Sequence, residues 1–347
     1  MKGQAMERIR FSLGGGYTAY IGAGASGLLG EELCSLAPAK AALVSDDGLP
    51  EGLVSACAEA IRAAGFEPLN VRIPHGESNK TLETVSGIYS AFYEAGLTRA
   101  DAVIGLGGGV TLDTAGFAAA TYLRGLAFVS VPTTLIAQTD SAYGGKTGVD
   151  FREGKNHVGV FAHPKAVLCD TEALRTLPER ERVSGMGEII KYGAIADPAL
   201  LDRVSSDLPG ADVTARCVKI KRDLVEQDEF DSGVRRTLNF GHTFGHAFEA
   251  ASGFTLPHGQ AVAYGMLAGV RLGERLGVTA PGVYERILEA CARAGLDTGW
   301  EPLLPSARAF AARDKKSDGE NIRFVFLEDI GKPTVKSIPL GVLVGEI

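Results

Sequence analysis

The sequence lacks any long hydrophobic run. No apolar stretch approaches the ~18 residues needed to cross a bilayer. Residues 1–15 contain charges and no apolar core, which argues against a secretory signal peptide. Cysteines are few, odd in number and far apart, without a Cys-x-x-Cys pair: Cys34, Cys57, Cys169, Cys217 and Cys291. This usage is typical of a reducing cytoplasm rather than of a disulfide scaffold, so we expect a cytoplasmic protein.

An excess of basic charge is also missing. The 35 basic and 42 acidic residues give a net charge of −7, which argues against a nucleic-acid or membrane-surface partner. An anionic small substrate stays compatible with this balance, because a pocket can be locally basic. Hydrophobic residues at 45% and charged residues at 22% are ordinary for a soluble globular protein and exclude wholesale disorder.

Glycine, by contrast, is abundant. It occupies 45 of 347 positions, about 13% against a usual ~7%, and several of these glycines are clustered. Clustered glycines favour loops in which the backbone approaches a ligand closely. The length exceeds what one hydrophobic core usually supports, which predicts two domains.

The first half of the chain alternates short strands with helices. Residues 8–13 and 17–21 resemble a hairpin, and predicted buried strands at 41–45, 68–73, 102–106 and 127–131 alternate with helices at 51–64, 80–95 and 110–122. Such alternation predicts a parallel, Rossmann-like sheet with helices on both faces. After Thr176 the pattern is mostly helical, with a β-like pair at 323–327 and 334–338. We therefore predict an α/β domain over 1–177 followed by a mainly α-helical domain over 178–347.

Two segments of the predicted α/β domain carry polar chemistry. Gly107-Gly108-Gly109 joins a strand to a helix that contains Asp113, an arrangement suited to a pyrophosphate and equally to a simple tight turn. It is not the Gly-x-Gly-x-x-Gly fingerprint. The run 131–147 follows a buried strand and holds Asp140 and Lys146, with Lys155 and Asn156 beyond it. The alternative is a solvated loop with incidental charges.

The predicted helical domain contains a candidate metal site. His242 and His246 lie four apart in Asn239–Glu249, as in zinc-binding His-x-x-x-His pairs, and His258 follows. Spacing alone favours His242 and His246 as the ligand pair. Glu188 and Lys191 lie three apart, and their simplest interpretation is a surface ion pair, although the neighbouring isoleucines suggest partial burial.

Taken together, these runs resemble 3-dehydroquinate synthase, a family of sugar phosphate cyclases. The matching segments keep the family's order and cover nearly the whole chain: 75–81, 107–116, 121–125, 132–149, 154–156, 176–181, 187–193 and 239–249. The resemblance implies an NAD- and metal-dependent lyase of the shikimate pathway. The implied reaction converts 3-deoxy-D-arabino-heptulosonate 7-phosphate to 3-dehydroquinate and phosphate. It proceeds by transient oxidation by NAD, phosphate elimination, re-reduction, ring opening and an intramolecular aldol closure.

The resemblance also implies roles for individual residues. The metal ligands, for Zn²⁺ or Co²⁺, are Glu188, His242 and His258, which leaves His246 facing the substrate. The implied NAD contacts are Glu77, Lys80, Gly107, Gly108, Gly109, Asp113, Thr133, Thr134, Asp140, Lys146, Lys155, Thr176 and Leu177. The implied substrate and catalytic groups are His246, Asn239, Lys146, Lys155, Asn156, Lys191, Lys221, Arg235, Arg124 and one lysine of Lys315-Lys316, with Lys316 preferred. Arg124 is expected to reach the pocket of a neighbouring subunit, which implies a homodimer.

Some positions depart from the family's pattern, and other functions stay open. His75 stands where aspartate is common, and Thr111-Leu112 replaces a usual Ile-Gly. The alternatives are a sister cyclase acting on another sugar phosphate, a metal-dependent polyol dehydrogenase of the glycerol dehydrogenase type, and a pseudoenzyme used as a binding module. A dehydrogenase of that type usually has an Asp/His/His site and lacks the Gly-Gly-Lys-Thr segment.

Overall fold

A computed structural model describes residues 6–152, 154–311, 317–318 and 321–345. The strands are β1 (Glu7–Phe11), β2 (Tyr17–Gly22), β3 (Ala41–Asp46), β4 (Pro68–Ile73), β5 (Ala102–Gly107), β6 (Ala127–Pro132), β7 (Lys146–Phe151), β8 (Gly154–Phe161), β9 (Ala166–Asp170), β10 (Ser317–Asp318), β11 (Asn321–Asp329) and β12 (Lys332–Pro339). The α-helices are α1 (Leu29–Leu36), α2 (Glu51–Ala63), α3 (Leu82–Glu94), α4 (Gly109–Thr121), α5 (Glu179–Ile195), α6 (Pro198–Arg203), α7 (Ala211–Gln227), α8 (His242–Ala251), α9 (His258–Arg275), α10 (Val283–Arg293), α11 (Leu304–Ala311) and α12 (Leu340–Gly345).

The first unit is built on a seven-stranded sheet with the order β1-β2-β9-β6-β5-β3-β4. β1 and β2 form the predicted antiparallel hairpin, and every other neighbouring pair is parallel. β5 is buried along its whole length and β3 at all but its last residue. Continuous apolar runs of this kind are typical of parallel strands covered on both faces.

Helices cover both faces of this sheet. On one face α3 and α4 contribute Phe92 and Ala118 to an apolar cluster with β4 and β5. On the other face α1 and α2 contribute Leu33 and Ile61 to a second cluster with β3, β5 and β6. The predicted fold class, a Rossmann-like α/β sheet followed by a mainly helical part, is confirmed.

The strand order reverses between β3 and β5. From β3 the chain moves outward to β4, and from β5 it moves the other way to β6 and β9. Ligands of open α/β sheets bind at the carboxyl ends of the strands beside such a switch point. The loops that begin after Asp46 and Gly107 flank this position.

A separate two-stranded sheet, β7–β8, follows the polar run that begins after β6. It was not predicted, because its glycines and charges mask the period-two alternation of a strand. Its first residue is Lys146, and Thr147 Oγ1 donates a hydrogen bond of 2.9 Å to the carbonyl of Val160 across the pair.

The chain divides after Leu177, but the first unit also includes Gly210–Glu229. The prediction assigned all of 178–347 to the second domain, so for this segment the prediction was wrong. Its helix, α7, buries Ala215 and Val218 in the same apolar cluster as Ile9 and Phe11 of β1. Helical periodicity shows that α7 has an apolar face and does not reveal which core that face enters.

The second unit, Pro178–Pro209 and Phe230–Ile347, is mainly helical. Its antiparallel strands β11 and β12 contain the β-like pair predicted at 323–327 and 334–338, and β10 pairs with β11. Within the described parts of both units, each helix is too short or too polar to cross a membrane.

Helix α9 packs against two neighbouring helices of the second unit through glycine backbones. A Cβ atom added at Gly187 of α5 would overlap the Gly259 carbonyl, and one added at Gly259 would overlap the Ser184 carbonyl. A Cβ added at Gly265 would overlap the carbonyl of Gly241, the residue that precedes α8. These contacts leave no room for a methyl group, so the helices approach at backbone distance.

We predict that Gly265→Ala lowers the free energy of unfolding by about 2–3 kcal/mol, because backbone must move to admit the methyl group. Gly87→Ala is the matched control, since Gly87 is an exposed glycine inside α3 whose added Cβ would meet open space. That control should gain roughly 0.5–1 kcal/mol from helix propensity alone. Denaturant unfolding of the two variants measures both changes, and equal shifts would contradict the packing argument.

Candidate active site

Glu188 is a fully buried carboxylate in the middle of α5. It shows 0% exposure, in a stretch of α5 that is buried from Ser184 to Ile195. Lys191, one helical turn later and 1% exposed, makes an ion pair with Glu188. The surface ion pair suggested by spacing is therefore a buried one. A buried carboxylate is costly unless cations surround it, so this position calls for positive charge.

Two histidines supply nitrogen atoms beside the Glu188 carboxylate. His242 is the first residue of α8 and His258 the first residue of α9. Their Nε2 atoms lie 3.6 and 3.4 Å from Glu188 Oε1. The ligand atoms of these three residues all lie within 4.8 Å of one another.

The remaining nitrogen of each histidine is held by a fixed acceptor. His242 Nδ1 lies 3.2 Å from the Phe240 carbonyl, and His258 Nδ1 lies 3.1 Å from Glu249 Oε1. Such contacts fix the ring orientation and direct Nε2 toward a metal ion. Two histidines and one glutamate are the ligand set of open catalytic zinc sites, so these residues fit a divalent metal.

The two histidines titrate in opposite directions. Burial lowers the pKa of His242 to about 4, against the smaller attraction of Glu188. Burial also disfavours the charged form of His258, but hydrogen bonds to Glu188 and Glu249 override it and raise the pKa of His258 to about 10. In the metal-free protein a proton on His258 thus supplies the positive charge that the carboxylates require, and a metal ion would replace it.

His246 lies beside this group and outside it. Its ring centroid is 5.6 Å from that of His242 and 6.1 Å from that of His258. A second set of possible ligands joins His246, Glu249 and His258, and neither set contains both His242 and His246. The pairing favoured by spacing alone is therefore not the one that the fold brings together.

Other predicted residues of the second unit surround the same helices. Arg235 and Asn239 lie on the short helix Val234–Asn239, just before His242, and Arg235 is 2% exposed. Lys191 is beside Glu188, as described above. Lys315 and Lys316 lie outside the described residues.

In the first unit the Gly107–Gly109 turn occupies the strand switch point. A Cβ atom at Gly107 would lie 2.6 Å from the Thr111 side chain, and one at Gly108 would lie 2.9 Å from Thr134 Cγ2. The Thr133 hydroxyl beside this turn is buried and makes no hydrogen bond to any described residue. Tight glycine backbone at the start of α4 and a buried hydroxyl in need of a partner both fit a dinucleotide phosphate.

A polar cluster around one buried lysine lies next to the switch point. Lys80, 4% exposed, donates hydrogen bonds of 2.6 Å to Asp113 Oδ2 and 2.5 Å to Asn156 Oδ1. Lys155 Nζ lies 3.4 Å from Glu77 Oε1. Burial lowers the pKa of Lys80, but the Asp113 carboxylate outweighs it and the net direction is upward, so Lys80 stays charged. The structure thus brings together five of the predicted residues.

Asp140 and Lys221 form a second pair within the first unit. Asp140 lies on a π-helical turn, Ala137–Ser141, a local irregularity common at functional sites. Lys221 of α7 donates to the Asp140 carbonyl at 2.6 Å and to Oδ1 at 2.9 Å. Thr176 ends the short helix Thr171–Thr176, and Leu177 follows it.

Arg124 is exposed and follows the end of α4. The predicted helix ends at Thr121, and Leu123 and Arg124 then adopt positive φ angles of 50° and 70° before Gly125. Two consecutive side-chain-bearing residues in the left-handed region are uncommon and strained. The arginine is therefore held outward on an irregular turn rather than on a helix end.

Sequence reasoning missed three acidic residues near these groups. Asp46 ends β3 at the switch point and Asp47 follows it. Asp46 Oδ2 accepts a hydrogen bond of 2.7 Å from Thr111, and Asp47 Oδ1 accepts one of 2.9 Å from the His75 amide. Hydrogen bonds from His75 hold the pKa of Asp47 below its ordinary value. The third is Glu249, the partner of His258. The strand order identifies Asp46 and Asp47 as residues of the switch point, and the strand order is known only from the structure.

Comparison with known families decides the relationship. The chain matches the family model described as 3-dehydroquinate synthase N-terminal over residues 70–184, and that described as 3-dehydroquinate synthase C-terminal over residues 185–317. The chain belongs to the 3-dehydroquinate synthase family.

Curated relatives agree with this family. A 3-dehydroquinate synthase of Streptococcus sanguinis (strain SK36) is 42% identical over 313 residues, which cover 87% of this chain and 88% of the relative. Another, of Geobacter metallireducens, is 45% identical over 290 residues and 79% of each chain. The predicted family, the function of a 3-dehydroquinate synthase, the lyase class and the dependence on NAD and a divalent metal are confirmed.

Solved structures of other cyclases share the fold. A 2-deoxy-scyllo-inosose synthase complexed with carbaglucose-6-phosphate, NAD⁺ and Co²⁺ superposes with a TM-score of 0.88 at 24% identity, covering 98% of each chain. The 2-epi-5-epi-valiolone synthase of Streptomyces hygroscopicus, with NAD⁺ and Zn²⁺ bound, gives a TM-score of 0.83 at 26% identity, covering 99% of this chain and 97% of that one. A probable glycerol dehydrogenase of Sinorhizobium meliloti gives only 0.61 at 19% identity over 93% and 92%.

We predict that His258→Ala and His246→Ala separate metal binding from turnover. The first variant removes a nitrogen 3.4 Å from Glu188 and should purify with less than about a tenth of the wild-type metal content, because an open site depends on all three ligands. The second should keep its metal and lose turnover. Elemental analysis of both proteins after dialysis makes the measurement, and the reverse result would support the His242/His246 pair.

Proposed function

We propose that this chain converts 3-deoxy-D-arabino-heptulosonate 7-phosphate to 3-dehydroquinate and phosphate, with NAD and one divalent metal ion. The observation that carries the proposal is the buried Glu188 carboxylate with two histidine Nε2 atoms and Lys191 around it. The identity of 42% to a 3-dehydroquinate synthase favours this substrate over those of sister cyclases. The donor set of Glu, His and His differs from the Asp/His/His site usual in polyol dehydrogenases.

We assign the metal to Glu188, His242 and His258, with Zn²⁺ or Co²⁺ as the ion. Bound there, it supplies a Lewis acid for vicinal oxygens of the substrate. Glu249 orients His258 through the 3.1 Å contact to Nδ1, and the Phe240 carbonyl orients His242. Lys191 makes an ion pair with the Glu188 carboxylate and so places a buried positive charge beside it.

We assign NAD to the switch point of the first unit. Bound there, it supplies the acceptor and then the donor of a hydride. The residues proposed to contact it are Glu77, Lys80, Gly107, Gly108, Gly109, Asp113, Thr133, Thr134, Asp140, Lys146, Lys155, Thr176 and Leu177. Lys80 fixes Asp113 and Asn156 in place, and the turn at Gly108 lets backbone approach the phosphates.

The anionic groups of the substrate require cations in a chain whose net charge is −7. We assign their binding to a set of basic and amide side chains: Lys146, Lys155, Asn156, Lys191, Lys221, Arg235, Asn239 and Lys316. Charge-assisted hydrogen bonds of this kind are about twice as strong as neutral ones.

His246 and Asn239 complete the proposed chemistry. His246 is half-buried next to His242 and His258 and is not needed as a ligand, so its imidazole is available to move a proton. Asn239 ends the short helix that leads to His242 and offers an amide to hold the leaving phosphate.

We also propose a cytoplasmic homodimer. None of the five cysteines forms a disulfide in the described structure, as expected in a reducing compartment. Arg124, exposed on its strained turn, is the residue proposed to reach the phosphate bound by the partner subunit.

One assay tests the reaction. The purified protein receives the heptulosonate phosphate with trace NAD and metal, and phosphate and NADH are followed together. Phosphate release without accumulation of NADH is expected, because NAD is regenerated in each turnover. Stoichiometric NADH would instead support a polyol dehydrogenase.

We predict that Lys146→Met weakens binding of the heptulosonate phosphate by about 1.5–3 kcal/mol, the contribution of a hydrogen bond to a charged group. Titration calorimetry without NAD, so that the substrate is bound and not converted, measures the loss. Lys165→Met is the control, because Lys165 is an exposed lysine outside the assigned sites. Unchanged affinity in Lys146→Met would show that Lys146 is a solvated residue.

A mixing experiment tests the role of Arg124. Arg124→Ala and His246→Ala proteins should each be nearly inactive, and equal co-refolding should give about half heterodimers with one intact pocket each. Activity should then recover to roughly a quarter of wild type. If differently tagged chains show that heterodimers form but activity does not recover, Arg124 lies in its own subunit's site or on the surface.

A further inference from the structure

His163 is a buried imidazole that none of the proposed steps uses. Its side chain is 3% exposed, and its Nε2 atom lies 2.9 Å from Glu229 Oε1. Its Nδ1 atom is buried and has no hydrogen-bond partner among the residues that the structure describes. A buried polar atom without a partner is costly, and a phenyl ring would fill the same volume without that cost. The presence of an imidazole in spite of this cost therefore indicates that its contact with Glu229 has a function.

The ring of His163 fills the space beneath two glycine turns. A Cβ atom at Gly145 would lie 2.9 Å from the ring, and one at Gly14 would overlap His163 Cβ. Gly145 has a φ angle of 72° and is followed directly by Lys146. The amide of Ala162, next to His163, donates a hydrogen bond of 2.7 Å to the Gly145 carbonyl. The position of the imidazole thus sets the backbone position of the residue before Lys146.

Glu229 connects this turn to α7. It follows the end of that helix by two residues, within the segment Gly210–Glu229 that belongs to the first unit. The same helix carries Lys221, which holds the π-helical turn through Asp140. The hydrogen bond between His163 and Glu229 therefore links the turn before Lys146 to the end of α7, the helix that carries Lys221. Both lysines are assigned to the substrate.

We propose that His163 is a positioning residue for Lys146: held by Glu229, its ring fixes the Gly144–Gly145 turn and so the place at which the Lys146 ammonium group meets an anionic group of the substrate. The inference rests on the proposed function, in which Lys146 binds the heptulosonate phosphate. His163 itself does not contact the substrate in this scheme.

The first test compares His163→Phe, which keeps the ring and loses the hydrogen bond, with Glu229→Gln, which weakens it from the other side. Each should raise KM for the heptulosonate phosphate about 10-fold, the effect of a hydrogen bond to a charged group, with kcat within about twofold. Glu226→Gln is the matched control, because Glu226 is an exposed residue of α7 that contacts Ser12 and not His163. His163→Gln, which retains an N–H donor, should recover part of the loss.

The second test is a double-mutant cycle with Lys146→Met. If His163 acts through Lys146, His163→Phe should leave KM unchanged within about twofold in the Lys146→Met background. The same 10-fold effect in both backgrounds would overturn the inference in favour of a general structural role. An unchanged KM in both His163→Phe and Glu229→Gln would also overturn it.

Failure of the proposed function gives a different pattern. In that case the wild-type protein releases no phosphate, or Lys146→Met binds the substrate as tightly as wild type, and both proposals fall together. If Lys146→Met weakens substrate binding as expected but His163→Phe and Glu229→Gln leave KM unchanged, only the inference about His163 is overturned.

Discussion

The candidate metal site depends on how closely three helices of the second unit approach one another. α9 meets α5 at Gly187 and Gly259, and it meets the start of α8 at Gly241 and Gly265, with carbonyl oxygens where any Cβ atom would lie. Each proposed ligand is the chain neighbour of one of these glycines: Glu188 follows Gly187, His242 follows Gly241, and His258 precedes Gly259. Backbone contact at the crossings thus fixes where three ligand side chains begin, so the contacts that stabilise the unit also bring the ligands within 4.8 Å.

Charge is concentrated in small buried groups in both units. Glu188 is surrounded by Lys191 and two histidines, and Lys80 is surrounded by Asp113 and Asn156. In each group a buried ion has partners on other elements, which for Glu188 add to Lys191 of its own helix, so the local geometry depends on more than one element. A net charge of −7 is therefore compatible with a site for an anionic sugar phosphate, because the cations are placed where the fold holds them.

The sequence predicted strands β3 to β6 and the β1–β2 hairpin well, because buried parallel strands are short apolar runs bounded by turn residues. It also indicated the segment that carries His242 and His258, since half of the six histidines lie in residues 242–258. Spacing alone gave Glu188 only as part of a surface ion pair. It could not reveal that α7 packs on the first sheet, or that Asp46 and Glu249 lie beside the assigned residues. Those relations join residues distant in the chain, and periodicity carries no information about such contacts.

The return of Gly210–Glu229 to the first unit has a consequence for synthesis of the chain on the ribosome. The apolar cluster that contains Ile9, Phe11 and Tyr17 lacks the part of its cover that α7 provides until that helix has been made, about 50 residues after the sheet is complete. Until then a nascent chain exposes an aromatic surface that other nascent chains can bind. Pro178–Pro209, which belongs to the second unit, is in this sense an insertion within the first, and neither unit can finish folding before the ribosome has passed Glu229.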